Sequence, residues 1–172
     1  TVYIRADGSV DPSTAPISSE DNVTYTFTDN IYDEIVVERS NIIVDGNGYT
    51  VQGTGAYLSK GIYLSGISNV TIKNMEVKAF DYGIWLDSSS NNSISGNNIA
   101  NNWDGIELYS SSNNSIFHNN FINNTMQVEI YFSTNVWDDG YPSGGNYWSD
   151  YTGVDLYRGP YQNVSGSDGI GD

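Results

Sequence analysis

Residues 83–96 of the chain read GIWLDSSSNNSISG, and residues 105–118 read GIELYSSSNNSIFH. The same pattern precedes them as GIYLSGISNVTIKN at 61–74 and follows them as QVEIYFSTNVWDDG at 127–140. The four stretches begin 22 residues apart and superimpose position by position. A fixed period in the low twenties, with short alternating strands and polar turns, is typical of a solenoid whose repeats stack on their neighbours.

Each repeat opens with a short run in which apolar and polar residues alternate, as in a half-buried β-strand. In the first repeat, Ile62 and Leu64 should face the interior while Tyr63 faces out. The apolar positions recur as two columns: Ile62, Ile84, Ile106 and Val128, and Leu64, Leu86, Leu108 and Ile130. We therefore predict an all-β fold, a single-stranded parallel β-helix with 22 residues per coil. Neighbouring coils should lie about 4.8 Å apart.

Asparagine occupies one turn position in every repeat, at Asn69, Asn91, Asn113 and Asn135. Stacked side-chain amides can hydrogen-bond to one another and to the backbone of the turn. We predict a structural asparagine ladder in this column. Further ladders at the other turns are predicted from the pairs Asn97/Asn119, Asn98/Asn120, Asn101/Asn123 and Asn102/Asn124.

The whole chain, residues 1–172, is predicted to form one β-helix domain. Residues 1–33 are predicted as an N-terminal cap that begins with a strand at Thr1–Arg5, and residues 34–148 as about five to six coils. An end of a β-helix exposes unpaired backbone and apolar side chains, so it needs a cover. Residues 149–172 are irregular and rich in Asp, Tyr and Gly, and we predict that they form the C-terminal cap.

The chain carries 21 acidic and 6 basic residues, for a formal net charge of −15 and a pI of about 4.1. This charge argues against nucleic acid and anionic membrane surfaces as partners. The sequence contains no cysteine, which excludes disulfides and thiolate metal sites. Since no apolar run reaches the length of a transmembrane helix, we expect no direct membrane insertion.

Six N-x-S/T sequons are present in the chain. Three of them fall in the predicted ladder column, and we expect their side chains to point inward, where no glycan can attach. The other three are the candidate glycosylation sites: Asn22, Asn123 and Asn163.

The outward positions of the first strand in each coil form two columns. They are Tyr63, Trp85, Glu107 and Glu129, and then Ser65, Asp87, Tyr109 and Tyr131. Aromatic rings stack on sugar faces and carboxylates accept hydrogen bonds from hydroxyls. The candidate carbohydrate-binding residues are therefore Tyr63, Trp85, Asp87, Tyr109 and Tyr131. Glu107 and Glu129 should lie roughly 5 Å apart, as in retaining glycosidases, and are the catalytic candidates if the protein is an enzyme. An ordinary solvated sheet face can carry the same residues.

A second candidate site is the acidic C-terminal region, where aspartates and glycines alternate in irregular sequence. Asp168 and Asp172 have the D-x-x-x-D spacing of calcium loops, without the distal Glu of an EF-hand. Together with the net charge of −15, this predicts a structural calcium ion. The candidate ligands are Asp138, Asp139, Asp150, Asp155, Asp168 and Asp172. The alternative is that Asp and Gly simply form turns here.

The coil pattern G-I-x-L-x-x-S-x-N-N-x-I-x-x-N resembles the parallel β-helix repeats of the NosD-like family, which is named for a copper-enzyme maturation protein. The stretch NVWDDGYPSGGNYWSDYTGVDLYRGPYQ at 135–162 is similar to the ends of archaeal cell-surface members of that family. The resemblance covers nearly the whole chain. It implies a right-handed β-helix and an extracellular location.

The family name also implies copper delivery, and the residues of this chain argue against it. Copper sites use His, Met or Cys. This chain has His118, Met75 and Met126 without any Cys, and these residues fall in separate columns and coils. We therefore expect no copper.

From these observations we predict a non-enzymatic extracellular or cell-surface module with a structural or adhesive role. Stacked coils form a rigid rod whose ends can continue into neighbours by strand pairing, which favours a filament, sheath or surface layer. The expected partners are copies of the protein or other surface proteins. The alternative is a carbohydrate-binding or pectate-lyase-like, carbohydrate-active protein that uses the aromatic and acidic columns on a polysaccharide.

Overall fold

The computed structural model describes residues 1–169, and in this range the chain is all-β without a helix. The first ten strands are β1 (Val2–Ile4), β2 (Val10–Asp11), β3 (Ile17–Ser18), β4 (Thr24–Phe27), β5 (Ile35–Val37), β6 (Ile42–Asp45), β7 (Thr50–Gln52), β8 (Lys60–Ser65), β9 (Val70–Lys73) and β10 (Glu76–Lys78). The others are β11 (Tyr82–Asp87), β12 (Ser93–Ser95), β13 (Asn98–Ala100), β14 (Asp104–Tyr109), β15 (Ser115–Phe117), β16 (Asn120–Ile122), β17 (Met126–Tyr131), β18 (Tyr147–Trp148), β19 (Tyr157–Arg158) and β20 (Val164–Ser165).

Most strands stack in parallel into three sheets that run along the axis of a β-helix. Sheet A contains β1, β5, β8, β11, β14 and β17, sheet B contains β4, β6, β9, β12 and β15, and sheet C contains β7, β10, β13, β16 and β18. Residues one coil apart are direct neighbours, as Ile84 is with Ile106 and Leu86 is with Leu108. The predicted parallel β-helix and its 22-residue coil are therefore confirmed.

Aliphatic side chains stack through the interior, as the alternation predicts. Two inward columns of sheet A are completely buried: Ile62, Ile84 and Ile106, and Leu64, Leu86 and Leu108. Sheets B and C contribute the buried columns Ile72, Ile94 and Ile116, and Val77, Ile99 and Phe121. Each such side chain stabilises the fold by about 1.5–3 kcal/mol relative to exposure. Tertiary burial therefore holds together strands too short to be stable alone.

At the first turn, the inner asparagine ladder includes Asn135 of the four predicted residues, whereas Asn69 Nδ2 donates to Asn41 Oδ1 at 2.8 Å at the exposed surface. Three of the predicted residues are exposed and have φ angles of 56°, 61° and 58°: Asn69, Asn91 and Asn113. They supply the left-handed turn conformation, which asparagine tolerates well. The ladder inside this turn consists of the buried Asn92 and Asn114 and the half-buried Asn135. Asn135 joins it because the last coil is one residue shorter, so that it lies 21 residues after Asn114. Asn114 Nδ2 donates to Asn135 Oδ1 at 3.0 Å, and Asn114 Oδ1 accepts from the Asn92 N–H at 2.8 Å.

The other two turns contain buried ladders at predicted pairs. Asn119 Nδ2 donates to the Ile94 carbonyl in the previous coil at 2.8 Å, and Asn119 Oδ1 accepts from the Asn97 N–H at 3.1 Å. Asn124 bonds to Asn102 in the same way at the third turn. These amides satisfy buried backbone groups of the turns, which must find partners somewhere.

Gly105 is required by the close approach of two coils. A Cβ atom at this position would lie 2.5 Å from the Gln127 carbonyl oxygen and 3.0 Å from Asn124 Nδ2. Gly105 and the adjacent Ile106 are both buried and both face the interior. Strand β14 therefore has two successive inward residues, which interrupts its alternation.

The two ends of the β-helix are closed differently. Residues 1–33, predicted as a cap, contain β1 and β4, which pair in parallel with β5 and β6 and form a further coil. The two-residue strands β2 and β3 pair antiparallel with β1 and β4 and cover the N-terminal edges of sheets A and B. At the other end, β17 is the last strand of sheet A within residues 1–169, and its Ile130 is 45% exposed.

The C-terminal region covers only part of that end. Trp148 stacks on Phe121 with ring centroids 4.4 Å apart, and Trp137 lies 6.1 Å from Trp148. Both tryptophans pack against the core, and the chain then forms the β19–β20 hairpin. Five tyrosines of the region remain exposed: Tyr141, Tyr147, Tyr151, Tyr157 and Tyr161.

Replacing Asn119 by Leu should lower the free energy of unfolding by about 3 kcal/mol or more, because buried backbone groups of Ile94 and Asn97 lose a partner. Urea denaturation followed by circular dichroism measures the change. Asn120→Ala is the control, because it removes only an exposed hydrogen bond, from Asn120 Nδ2 to Asn98 Oδ1, and it should cost less than about 1 kcal/mol. Equal losses in the two variants would contradict the structural role of the ladder.

Candidate functional site

The outward face of sheet A carries the two columns predicted from the repeat. Along the first, Tyr63, Trp85, Glu107 and Glu129 are paired in register, and along the second, Ser65, Asp87, Tyr109 and Tyr131. The backbone of four parallel strands therefore holds these side chains in fixed rows. The face combines aromatic rings and carboxylates, as expected.

A third outward column lies beside these two, and the prediction from the sequence did not include it. Its residues are Lys60, Tyr82, Asp104 and Met126. Strict alternation from Glu107 would make residue 105 the next outward position. Because Gly105 faces the interior instead, Asp104 becomes the outward neighbour of Glu107. The sequence signal for this column is a large or charged residue directly before Gly61, Gly83 and Gly105, and before Gln127 in the last repeat.

Asp104, Glu107 and Glu129 form a compact cluster, the acidic triad. One carboxylate oxygen from each residue lies within 4.8 Å of those from the other two. Asp104 is 4% exposed and Glu107 is 8% exposed. Asp104 Oδ1 is buried without a hydrogen-bond partner, whereas Glu129 Oε2 accepts a hydrogen bond from Tyr131 Oη at 2.9 Å.

The environment of the triad favours the protonated carboxyl groups. Burial, together with the neighbouring carboxylates, raises the pKa of Asp104 to about 6 and the pKa of Glu107 to about 7. Glu129 and Asp81 contribute to both shifts, because nearby negative charge disfavours ionisation. When these groups ionise, the triad therefore places negative charge where solvent cannot screen it well.

Lys60 packs against the aromatic residues on strands β8 and β11, and together these side chains form one group. Its Nζ lies 4.6 Å from the ring centroid of Tyr63 and 4.5 Å from that of Trp85. The Tyr82 ring lies 4.8 Å from that of Trp85. Cation–π contacts of this kind stabilise by about 0.5–1 kcal/mol when exposed. The lysine therefore occupies part of the ring surface that was predicted to bind sugars.

Three aromatic residues near the C-terminal end form the exposed aromatic cluster. Tyr109, Tyr131 and Phe132 are 44%, 42% and 83% exposed. The ring centroid of Tyr109 lies 6.3 Å from that of Tyr131 and 5.9 Å from that of Phe132. Asp87 precedes Tyr109 in the same column and accepts a hydrogen bond from Ser88 Oγ at 3.0 Å. The predicted strip is thus divided into a packed group around Lys60 and this exposed cluster.

Within residues 1–169, the aspartates predicted as calcium ligands form no group of three, although the Asp168 N–H donates to Asp155 Oδ1 at 3.3 Å. Asp138 accepts from the Gly140 N–H at 2.8 Å, and Asp155 accepts from the Gly169 N–H at 2.7 Å. Asp139 and Asp168 also accept hydrogen bonds, Asp150 is exposed, and Asp172 lies outside the described residues. Within residues 1–169, the acidic triad is the group of three possible metal-ligating side chains.

The candidate glycosylation sites are all exposed: Asn22, Asn123 and Asn163. The sequon residues Asn69, Asn91 and Asn113 are exposed as well, so the expectation that they point inward is wrong. Their left-handed backbone conformation places them at the surface of the turn.

Nitrogen and sulfur donors are scattered over the molecule. Met75 is 3% exposed in the core, and Met126 lies on sheet A. His118 Nε2 lies 2.9 Å from the Ser143 carbonyl oxygen and 3.1 Å from its Oγ. His118 lies in the turn between β15 and β16, two coils from Met75, whereas Met126 lies on β17 of sheet A.

Comparison with protein-family models matches residues 9–153 to the family described as "Periplasmic copper-binding protein (NosD)". The chain belongs to this family. Comparisons with curated proteins and with solved structures give no match. The family description agrees with a location outside the cytoplasm. A search of residues 1–169 finds no helix whose length and hydropathy would allow it to span a membrane.

The copper in the family description does not fit the residues of this chain. Copper sites in proteins use imidazole, thiolate or thioether donors, and His118, Met75 and Met126 do not converge. The acidic triad offers carboxylate oxygens, which suit hard cations instead. No copper chemistry follows from this donor set.

The raised pKa values of Asp104 and Glu107 predict how stability depends on pH in a chelator. Between about pH 4 and pH 7 these two carboxyl groups bind more protons in the folded protein than in the unfolded chain, so their contribution to the free energy of unfolding should fall as pH rises through this window. Urea denaturation at a series of pH values measures the fall. The fall in the free energy of unfolding should be smaller in Glu107→Gln. It should be unchanged in Glu20→Gln, because Glu20 is an exposed residue of the N-terminal segment. Identical pH profiles in all three proteins would contradict it.

Proposed function

We propose that this protein is an extracellular adhesive module whose β-helix presents the face of sheet A to a neutral polysaccharide. The family description supports a location outside the cytoplasm. The observation that carries the proposal is the exposed aromatic cluster. It places Tyr109 and Tyr131 on the sheet face beside Phe132, which directly follows β17, and the Glu129 carboxylate accepts a hydrogen bond from Tyr131.

The sheet face is a platform whose shape is set before any ligand binds. Strands β8, β11, β14 and β17 pair in register, which holds rows of side chains at the strand spacing of about 4.8 Å. Tyrosine contributes a large contact area at low entropic cost, because it has only two side-chain torsions. The carboxylates of Asp87 and Glu129 are acceptors for sugar hydroxyls.

The charge of the protein favours a neutral glycan over an anionic one. The chain has a net charge of −15, and the acidic triad lies on the proposed binding face. A polyuronate or sulfated glycan would be repelled by both. Lys60 on this face is directed onto the rings of Tyr63 and Trp85, where it cannot easily neutralise an acidic sugar.

The N-terminal end of the β-helix is closed. This favours binding through a face of the rod over assembly into an end-to-end filament. Strands β2 and β3 cover the N-terminal edges of sheets A and B, and short edge strands of this kind discourage further pairing. A sheath or surface layer of this protein would therefore use the sides of the rod or its C-terminal end. Copies of the protein and other surface proteins stay proposed partners on those surfaces.

Titration calorimetry against a panel of neutral polysaccharides, with one polyuronate for comparison, tests the proposal. Tyr109→Ala/Tyr131→Ala should bind at least about tenfold more weakly than wild type, or ~1.4 kcal/mol, because two stacking rings are lost. Tyr32→Ala removes a tyrosine that is 73% exposed on the N-terminal segment, and it should bind as wild type does. Equal weakening by both variants, or no binding of wild type to any neutral polysaccharide, would overturn the proposal.

Glycoside hydrolysis on the same face is a second candidate function, favoured by the carboxyl pair Glu107 and Glu129. Their oxygens approach within 4.8 Å, and the pKa of Glu107 is raised to about 7, as a general acid requires. Against it, Glu107 is only 8% exposed, whereas a general acid must reach the glycosidic oxygen.

Release of reducing ends from the same panel separates the two functions. We expect wild type to release none above background while it binds the polysaccharide. Release that is lost in Glu107→Gln, with binding retained, would establish a hydrolase in place of an adhesive module.

A further inference from the structure

The geometry points to a binding site for one hard divalent cation of the calcium class, formed by Asp104, Glu107 and Glu129 on the face of sheet A. This site is separate from the C-terminal aspartates that the sequence suggested as calcium ligands. It goes beyond the proposed function, because it would bind an ion whether or not the face binds a polysaccharide.

A buried carboxylate oxygen without a partner is the observation that distinguishes this cluster from an ordinary acidic surface. Asp104 is 4% exposed, and its Oδ1 is enclosed and accepts no hydrogen bond. Buried polar atoms are nearly always paired, and buried charges are paired or coordinate a metal. Glu107 adds a second carboxylate that is 8% exposed, on the same strand. Two neighbouring carboxyl groups buried to this degree must be either protonated or neutralised by a bound cation.

Negative charge accumulates around the triad. Glu107 and Glu129 are direct cross-strand neighbours, and like charges in such positions destabilise a sheet. Asp81 adds to the negative potential at both Asp104 and Glu107. Lys60 on the same face is engaged with aromatic rings. A divalent cation between the three carboxylates would replace their repulsion by attraction.

The donor set and its dimensions select the kind of cation. Three carboxylates can supply up to six oxygen donors, and Ca²⁺ takes about six to eight oxygens, with water completing the shell. Ca²⁺–oxygen distances are about 2.3–2.6 Å. Oxygens that lie within 4.8 Å of one another, as those of the triad do, can therefore contact the same ion. Copper and other soft ions are disfavoured, because the triad has neither nitrogen nor sulfur donors.

An ion at this site would fasten the last coil of sheet A to the coil before it. Asp104 and Glu107 belong to β14, whereas Glu129 belongs to β17. Strand β17 lies at the more open end of the β-helix, where Ile130 is 45% exposed. The cation would therefore stabilise the end of the rod next to the exposed aromatic cluster.

Chelator-treated protein is titrated with Ca²⁺ by calorimetry and with Tb³⁺ as a luminescent probe. Trp85 lies in register beside Glu107 and should sensitise Tb³⁺ emission, which added Ca²⁺ should suppress. We expect one equivalent of Ca²⁺ to bind. Asp104→Asn/Glu107→Gln should weaken binding at least about tenfold, and Glu129→Gln is a second variant if that double variant fails to fold. Asp138→Asn/Asp139→Asn, in the C-terminal region, is the matched control and should bind as wild type does.

Thermal melting distinguishes a cation site from a merely acidic surface. In chelator, Asp104→Asn/Glu107→Gln should melt at or above the wild-type midpoint, because the repulsion has been removed. Ca²⁺ should raise the wild-type midpoint by at least about 3 °C and leave that of the triad variants unchanged. Binding that persists in the triad variants, binding that is lost in the Asp138/Asp139 control, or no binding by wild type at about 1 mM Ca²⁺ overturns the proposal.

Discussion

Buried asparagine amides that reach from one coil to the next are the interaction on which this fold depends. At each turn the backbone leaves the pairing of the sheets while it stays inside the molecule, so its polar groups need other partners. Asn119 supplies them, since it donates to the Ile94 carbonyl and accepts from the Asn97 N–H. A group left unpaired there would cost about 1–3 kcal/mol. The asparagines can do this only if they occupy the same place in successive coils, which accounts for the 22-residue period of the central repeats.

The same register has opposite consequences on the outside of the rod. Equivalent residues of neighbouring coils become direct neighbours, so an aromatic column packs ring against ring, as Tyr63 and Trp85 do at 5.4 Å. An acidic column instead places Glu107 against Glu129. Stacking in register thus stabilises the two coils that carry Tyr63 and Trp85. It destabilises the two coils that carry Glu107 and Glu129, unless protons or a cation are bound. The candidate site lies where the fold itself concentrates charge.

The inward columns could be predicted from the sequence because alternation and the period together fix which side chains are buried. Two details could not be predicted in this way. Asn135 pairs with Asn114 because the last coil is one residue short, which a gapless alignment of the repeats conceals. Asp104 joins the site because Gly105 adds an extra inward residue, and this depends on the approach of Gln127 and Asn124. The first coil lacks the repeat signature, since the segment with β2 and β3 is inserted into it.

Introduced cysteines can measure the distance between coils directly, because the chain has none of its own. Ser93 and Ser115 are paired in adjacent coils of sheet B, and Thr71 lies one coil further from Ser115. Ser93→Cys/Ser115→Cys should form an intramolecular disulfide under mild oxidation, since paired Cα atoms about 5 Å apart suit disulfide geometry. Thr71→Cys/Ser115→Cys should not, at about twice that distance. A disulfide in the second pair, or none in the first, would contradict the one-coil register.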